Sequence, residues 1–357
     1  MPITGNKGEW SEVYVLLFLA GLGRLYAADA NVRKIADIFF PVLKIFRKDG
    51  PARQYEYRLP NDGTVAIYMN NRLVQNFSQV EFREEAKKLL EAVAQGRNSF
   101  SIQSTEAFMH KIGCTRLTAP AQDKTDISLQ LRDINTGFSP ICGFSIKSEL
   151  GDPPTLINAS GATNFIFSLS NISSTLAQKI NSCSSAHKIK ERIRMLKDNG
   201  ISLQFERVSS NIFSGNLCLI DSRFEEILAC ILKYHYFEDC IFCSDAVKKL
   251  EETDPLGFKR PGIYTYKFKK FLYAAALGMT PATQWNGLED ANGGYIIVTS
   301  DGNVLAYYLY NKNAFEEYLL NNTKFERAST KRHKYSTVYK DGNRFFLNLN
   351  LQIRFIH

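Results

Sequence analysis

The stretch TDISLQLRDINTGFSPICGFSIKSELG, residues 125–151, decides how the chain arranges its most distinctive polar residues. In ISLQLRD apolar and polar residues alternate, which is typical of a half-buried β-strand. In ICGFSIKS the apolar residues run almost unbroken, as they do in a central strand. If these strands pair as antiparallel neighbours, Asp126 at the start of the first and Lys147 near the end of the second meet at one end of the sheet.

Asp126 and Lys147 in this arrangement suggest a catalytic site. A carboxylate can hold a divalent metal ion, and a nearby lysine can orient or deprotonate a water molecule or stabilise charge on a phosphate. An acid, a hairpin and then an x-Lys pair is the layout needed for metal-assisted phosphodiester hydrolysis. Many nucleases carry another acid two positions before the lysine, where this chain has Ser145. The simpler interpretation is a solvated lysine at the sheet's edge or an ordinary ion pair.

The opening helix, predicted from about Glu9 to Ala20, carries a further candidate. Glu9 and Glu12 are three residues apart and therefore lie on one helical face. That face continues into an apolar stripe that should pack inward. Negative charge is favourable at a helix N-terminus, so capping explains Glu9 well and Glu12 less well. Glu12 is thus a candidate metal or water ligand that replaces the carboxylate missing at Ser145.

The order of predicted elements indicates a mixed α/β protein. The predicted elements after the opening helix include a strand at 39–46, a hairpin turning at 61–63, helices at 81–94 and 104–112, helical stretches at 173–199 and 224–249, and aromatic strands in the final third. We place a soft boundary near Ser185. Residues 1–185 would carry the Asp/Lys hairpin, and residues 186–357 would form a basic region.

Composition favours a cytoplasmic protein. Of 357 residues, 45% are hydrophobic and 22% charged, and the apolar stretch at 13–23 is too short to span a bilayer. No membrane association or signal peptide is expected. Seven cysteines, an odd number, favour free thiols in a reducing compartment. The lone CxxC at Cys240 and Cys243 lacks a second ligand pair at workable spacing, so a zinc site is disfavoured.

Positive charge is concentrated near the C-terminal end of the sequence. The formal net charge is +8, and residues 321–357 contain eight Lys or Arg against two acids. A second basic run, HKIKERIRMLK, covers residues 187–197. Such clusters suit a polyanion, because contacted phosphates release condensed counterions. On charge alone, a solvated surface explains them equally well.

If the polyanion is DNA, recognition of its bases requires paired hydrogen-bond donors and acceptors on a rigid element of the protein. If the target is rich in G·C pairs, Arg332 is the first choice for a base contact, with contact to phosphate alone as the alternative. The candidate DNA-binding residues are Arg332, Lys331, His333, Lys334, Arg327, Gln284, Asn286 and Lys267. No GxSxG, P-loop or HExxH pattern occurs, so serine-hydrolase, nucleoside-triphosphatase and zinc-protease classes are disfavoured.

Several sequence blocks together resemble one family. They are GNKGEWSEVYVLLFLAGLGRLYAAD at 5–29, GFSIKSELGDPPTLINASGATNF at 143–165, GGYIIVTSDG at 293–302 and LNLQIRF at 349–355. The chain resembles the HpaII-type restriction endonucleases over nearly its whole length. The resemblance implies a type II restriction enzyme with a PD-(D/E)XK nuclease core, a central mixed sheet flanked by helices, and a C-terminal DNA-recognition region.

The resemblance also implies a chemistry. It implies Mg²⁺-dependent cleavage of duplex DNA at a short palindrome, CCGG, leaving 5′ phosphates. Asp126 and Lys147 match the catalytic pair, Glu12 matches a helix-borne acid that shares the metal with Asp126, and Ser145 departs from the usual acid. A restriction enzyme also implies a cognate cytosine methyltransferase in the cell, and a palindrome suggests a homodimer.

Two other interpretations remain open on the sequence. The first is a sequence-specific DNA-binding protein without catalysis, in which Asp126 and Lys147 only form an ion pair. The second is a nuclease of the same class that acts on structured or single-stranded nucleic acid.

Overall fold

The computed structural model describes residues 2–50, 53–119, 125–307, 311–333 and 335–356, without the side chain of Lys331. The helices in these ranges are α1 (Lys7–Leu22), α2 (Gln79–Gln95), α3 (Gln103–Lys111), α4 (Ser174–Ser182), α5 (Lys188–Asp198), α6 (Asn211–Ile220), α7 (Phe224–Phe237), α8 (Cys243–Thr253), α9 (Ile263–Leu277), α10 (Lys312–Asn321) and α11 (Thr330–His333). The strands are β1 (Arg24–Ala28), β2 (Lys34–Lys48), β3 (Gln54–Arg58), β4 (Thr64–Met69), β5 (Arg72–Ser78), β6 (Ile127–Leu131), β7 (Ile141–Ser148), β8 (Thr155–Ile157), β9 (Asn164–Ser170), β10 (Ser202–Val208), β11 (Gly294–Val298), β12 (Val304–Tyr307), β13 (Thr323–Phe325), β14 (Val338–Asp341), β15 (Arg344–Asn350) and β16 (Ile353–Phe355). Helices and strands alternate, which confirms the predicted mixed α/β class.

The chain divides into two compact units. In the described ranges, unit 1 comprises residues 2–154 and 289–318, and unit 2 comprises residues 155–288 and 319–356. This division differs from the boundary expected near Ser185. The cause is a long-range pairing: β11 lies parallel to β7, with Ile296 opposite Ile146, so the chain returns to unit 1 after residue 288.

The central sheet of unit 1 is mixed. Its nine strands follow the order β1-β12-β11-β7-β6-β2-β3-β4-β5, and β1 also pairs with β2. The β6–β7 pair is antiparallel with Ile127 opposite Phe144, as the sequence pattern predicts. The β7–β11 and β1–β12 pairs are parallel. β7 lies inside the sheet between β6 and β11. Its residues Phe144, Ser145 and Ile146 are buried on both faces of the sheet, whereas Ile141 at its start is exposed.

Helix α1 forms the centre of the unit 1 core. The Asn6 side chain and the Glu9 carboxylate make a reciprocal capping box, and Gly23 ends the helix with a left-handed φ of 68°. Residues on nearly every side of α1 are buried, including Trp10, Val13 and Leu17. The helix packs against α2 so closely that a Cβ on Gly21 would lie 2.8 Å from the backbone nitrogen of Arg83.

Unit 2 contains two smaller sheets. The first has the antiparallel order β10-β9-β15-β14, and the second has the order β13-β16-β8. The two long helical stretches predicted here are each broken in the structure. Residues 173–199 form α4 and α5, and residues 224–249 lie in α7 and α8, with Asp239 at a left-handed φ of 52° between the latter pair. Across the described ranges of both units, no helix has the length and apolar character needed to cross a membrane.

Candidate active site

Asp126 is fixed against β7 at the entrance to β6. Its backbone N–H donates to the carbonyl of Phe144 at 2.9 Å. Its Oδ2 accepts the Ile146 N–H at 2.6 Å and the Ser145 hydroxyl at 3.1 Å. The antiparallel pairing predicted from the sequence therefore places this carboxylate beside the second strand.

Ser145 links Lys147 to Asp126. The Lys147 ammonium donates to Ser145 Oγ at 3.0 Å, and the same hydroxyl donates to Asp126. The Lys147 Nζ also lies 5.2 Å from the ring centroid of Tyr295. Burial lowers the pKa of Lys147, while the charges of Asp126 and Glu12 oppose this effect. Lys147 consequently gives up its proton more readily than an exposed lysine does.

Glu9 and Glu12 have different roles in the structure. Glu9 Oε2 accepts the Asn6 N–H at 2.7 Å and caps α1. Glu12 Oε2 instead accepts the Ala119 N–H at 3.1 Å. Burial, followed by the negative charge of Asp126, raises the pKa of Glu12 to about 8. Glu12 therefore faces the same site as Asp126, as its place on the apolar face of α1 suggests.

Arg47 is a buried charge that no sequence pattern singles out. Only 4% of this residue is exposed, although it is an arginine on β2. Its Nη2 donates to the carbonyls of Arg116 at 2.8 Å and Leu117 at 2.6 Å. Arg47 thus holds the segment that presents the Ala119 N–H to Glu12. Its positive charge also lowers the pKa of Glu12.

Two cavities in unit 1 meet at Asp126. The larger, about 1040 Å³, is bounded by the start of α1, the end of β7 and the loop after α2, and includes Glu12 and Lys147 in its lining. The smaller, about 480 Å³, includes Arg47, Thr125 and Asp290 in its lining. Asp126 lines both cavities and is therefore accessible to a ligand from either one.

The raised pKa of Glu12 predicts a pH-dependent stability. Folded Glu12 keeps its proton up to about pH 8, whereas the unfolded residue loses it near 4.5, so stability falls as pH rises through that window. The shift corresponds to roughly 4 to 5 kcal/mol. Glu12→Gln, which mimics the protonated form, should therefore be more stable than wild type above pH 8 and similar to it near pH 5.

Urea unfolding in EDTA at several pH values tests this stability prediction. Unfolding is monitored by the fluorescence of Trp10 in a Trp285→Phe background. Glu81→Gln, which alters an exposed helix-capping carboxylate, serves as the control and should show no gain that grows with pH. A constant difference between Glu12→Gln and wild type across the pH range would contradict the assignment.

The donor atoms at the site suit magnesium. Considering only the described ranges, no group of three or more His, Cys, Asp or Glu residues could hold a metal ion. Asp126 and Glu12 provide two carboxylates that are close enough to interact electrostatically. Mg²⁺ is commonly bound by one or two carboxylates and keeps water or phosphate oxygens as its other ligands. Two carboxylates beside an open cavity fit that requirement.

The structure describes only some of the candidate DNA-binding residues at positions 331–334. Arg332 and His333 lie on α11, where Arg332 is exposed. Lys331 belongs to the same helix, and Lys334 lies outside the described residues. Asn164 Nδ2 donates to the His333 carbonyl at 3.0 Å, which fixes the end of this helix.

Two other predicted DNA contacts are paired inside unit 2. Arg327 donates to Asp239 at 2.7 Å and to the carbonyl of His235 at 2.9 Å. Lys267 forms an ion pair with Asp221, and both side chains are mostly buried. Each of these two basic side chains therefore already has an acidic partner within unit 2.

Gln284 and Asn286 are exposed on a segment that Asn216 organises. Asn216 is 1% exposed, and its Nδ2 donates to the carbonyls of Thr280 and Thr283, each at 2.9 Å. Its Oδ1 accepts the Trp285 N–H at 2.9 Å. The sequence contains no local signal for this arrangement, because Asn216 lies more than 60 residues before the segment.

The site and fold define a protein with a carboxylate–lysine centre on a mixed sheet, and comparison with known proteins assigns its class. The family model described as HpaII restriction endonuclease matches residues 6–355, so the chain belongs to that family and the predicted resemblance is confirmed. The type II restriction enzyme HpaII of Haemophilus parainfluenzae is 40% identical over 362 residues, covering 99% of each chain. No solved structure gives a significant match.

Proposed function

We propose that this protein is a magnesium-dependent type II site-specific deoxyribonuclease of the PD-(D/E)XK class that cuts duplex DNA at a short palindrome, CCGG. Membership in a restriction endonuclease family supports the reaction class. The observation that carries the proposal for the site is the connection of Lys147, Ser145 and Asp126 beside a wide cavity. The 40% identity to HpaII supports CCGG as the first sequence to test.

Asp126 and Glu12 would hold the metal ion. When bound, Mg²⁺ supplies Lewis-acid chemistry that lowers the pKa of water and stabilises charge on the phosphate. Burial and the charge of Asp126 raise the pKa of Glu12, whereas a nearby positive charge favours the ionised carboxylate. Cation binding is therefore coupled to loss of the Glu12 proton.

Lys147 and Ser145 would act on the attacking water. Lys147 has a lowered pKa, so it can accept a proton from water more readily than a solvated lysine can. Ser145 holds the lysine nitrogen at 3.0 Å and thereby sets its position relative to Asp126. The serine hydroxyl takes the place of the usual acid in this network without adding a negative charge.

Recognition would use polar residues of the C-terminal basic segment and of residues 284–286. Arg332 is our first candidate for a guanine contact, and Lys331, His333 and Lys334 are candidates for phosphate or base contacts. Gln284 and Asn286 add exposed amides. We assign Arg327 and Lys267 to stabilising unit 2, since each already pairs with an aspartate.

The cellular setting follows from the proposed reaction. A palindromic target matches a homodimer whose twofold axis coincides with that of the site. A cognate cytosine methyltransferase would protect the host's own CCGG sequences. Both proteins would act on DNA in the cytoplasm.

The decisive experiment is incubation of a sequenced plasmid with the protein in Mg²⁺ or EDTA, followed by mapping of the fragment ends. Discrete magnesium-dependent fragments with CCGG at every cut support the proposal. Fragments whose ends share another short sequence would support the nuclease activity and show that its target is that sequence and not CCGG. The alternative, a DNA-binding protein without catalysis, predicts intact plasmid with reduced gel mobility. Cutting only of branched or single-stranded substrates would favour the third interpretation.

Ser145→Ala should lower kcat by about tenfold to a hundredfold, because it removes a positioning hydroxyl and leaves both charged groups in place. Binding of the cognate duplex in Ca²⁺ should change little. Single-turnover cleavage in Mg²⁺ measures the effect, and Ser145→Thr, which retains a hydroxyl, is the matched control. Equal losses in both variants would point to altered packing of β7 in place of a lost hydrogen bond.

A further inference from the structure

The loop after α2 forms an unassigned wall of the larger cavity. Arg97, Asn98 and Ser99 are consecutive, exposed and part of the lining that includes Glu12 and Lys147. They supply a guanidinium, an amide and a hydroxyl. These groups are typical protein donors to DNA phosphates.

The backbone of this loop is held firmly at both ends. The Gly96 N–H donates to the Ala92 carbonyl at 3.1 Å, which closes α2. At the other end, Phe100 exchanges backbone hydrogen bonds with Gly5 at 3.1 and 3.0 Å, and its carbonyl accepts the indole N–H of Trp10 at 3.1 Å. The donors therefore extend from a fixed frame beside α1.

Two local features give the loop its shape. A Cβ on Gly96 would lie 2.3 Å from the Phe100 ring, so the turn requires glycine. Asn98 adopts a left-handed φ of 57°, a conformation that asparagine tolerates better than most residues. Within the ranges that the structure describes, no hydrogen bond or ion pair uses the side chains of Arg97, Asn98 or Ser99.

Charged side chains of both signs line the cavity. Asp126, Glu12 and Asp152 line it, so a DNA backbone would meet several carboxylates there. These acids repel a phosphodiester, so a basic side chain with no local partner would favour its binding. Lys7 donates to the Ala94 carbonyl at 3.0 Å, whereas Arg97 is exposed and has no such bond. Arg97 is thus the cation placed to bind a neighbouring phosphate.

We propose that the Arg97–Ser99 loop binds a phosphodiester that flanks the scissile bond and so positions the cleaved strand. This inference rests on the proposed nuclease function. Because contacts to phosphate carry no direct sequence information, the loop should contribute equally to binding of cognate and unrelated duplexes. It adds a DNA contact in unit 1 that the basic segments of the sequence do not indicate.

The test compares Arg97→Ala with wild type in Ca²⁺, using CCGG and scrambled duplexes over a range of salt concentrations. We expect Kd to rise about tenfold for both duplexes and the salt slope to fall by about 0.9. Arg72→Ala, which removes an exposed arginine from β5 outside the cavity, should match wild type. Thermal unfolding shows whether Arg97→Ala remains folded.

Single methylphosphonate substitutions then locate the contact. Neutralising the contacted phosphate should weaken wild type but leave Arg97→Ala unchanged, and that phosphate should adjoin the mapped cut. Unchanged Kd and salt slope in Arg97→Ala, or equal methylphosphonate effects in both proteins at every position, would overturn the inference. Plasmid cleavage by the same wild-type preparation separates the two proposals. If the wild type cuts DNA and Arg97→Ala has the wild-type Kd and salt slope, only the proposed role of the loop is rejected. Wild type that neither binds nor cuts DNA rejects both.

Discussion

Asp126→Asn is expected to abolish magnesium-dependent cleavage, lowering kcat by about 10⁴-fold or more. The amide can still accept the Ile146 N–H that the carboxylate accepts at 2.6 Å, so β6 and β7 should keep their pairing. It cannot supply the negative charge that holds Mg²⁺. Single-turnover cleavage of a CCGG duplex across a magnesium titration measures the loss.

Asp37→Asn is the matched control, because Asp37 is an exposed carboxylate on β2 that does not line the larger cavity. It should cleave at the wild-type rate. DNA binding without divalent ions should be retained or strengthened in Asp126→Asn, since one negative charge near the phosphate is removed. Cleavage within tenfold of wild type would rule out Asp126 as the principal metal ligand.

The β6–β7 hairpin could be predicted because its signals are local. Alternation in residues 127–131 and the unbroken run in 141–148 each identify a strand, and a short loop favours antiparallel pairing. Spacing then brings Asp126 to Lys147. The predicted start of α1 near Glu9 lies two residues after the observed start at Lys7, where a capping box of Asn6 and Glu9 begins the helix.

The division of the chain depends on contacts that no local pattern contains. The parallel β7–β11 pair joins residues about 150 positions apart, and charge composition gives no hint of it. Arg47 is a similar case, because the carbonyls to which it donates hydrogen bonds lie about 70 residues later in the sequence. Periodicity in the sequence predicts which residues lie on each face of a strand. It does not predict which distant strands pair with that strand.

Counting basic residues does not show which of them have acidic partners in the fold. Arg327 and Arg332 are five positions apart and look equivalent in the sequence. The structure pairs Arg327 with Asp239, whereas Arg332 is exposed on α11. Which arginine is available depends on the position of an acid 88 residues away, so charge clustering alone could not separate them.

The presence of Ser145 in place of an acid has a physical consequence for Lys147. An acid at this position would add negative charge beside Lys147 and raise its pKa. A serine hydroxyl accepts the ammonium's hydrogen bond without that charge, so the effect of burial prevails and the pKa stays lowered. The substitution therefore favours a lysine that can act as a proton acceptor.

Lys147→Met should accordingly lower kcat by about 10³-fold to 10⁴-fold while Kd for the cognate duplex stays within a few fold of wild type. Methionine fills similar buried space but can neither accept a proton nor carry charge. Single-turnover cleavage in Mg²⁺ and duplex binding in Ca²⁺ measure the two effects separately. Lys87→Met, at an exposed position on α2, is the matched control and should leave both unchanged.

Lys147→Arg distinguishes the two possible roles of the lysine. Arginine keeps the positive charge but does not release its proton in proteins. Recovery of cleavage by Lys147→Arg would show that Lys147 acts by stabilising charge on the phosphate. Continued loss of cleavage in Lys147→Arg, despite the retained positive charge, would show that Lys147 accepts a proton from water. Near-wild-type cleavage by Lys147→Met would remove the lysine from the proposed mechanism.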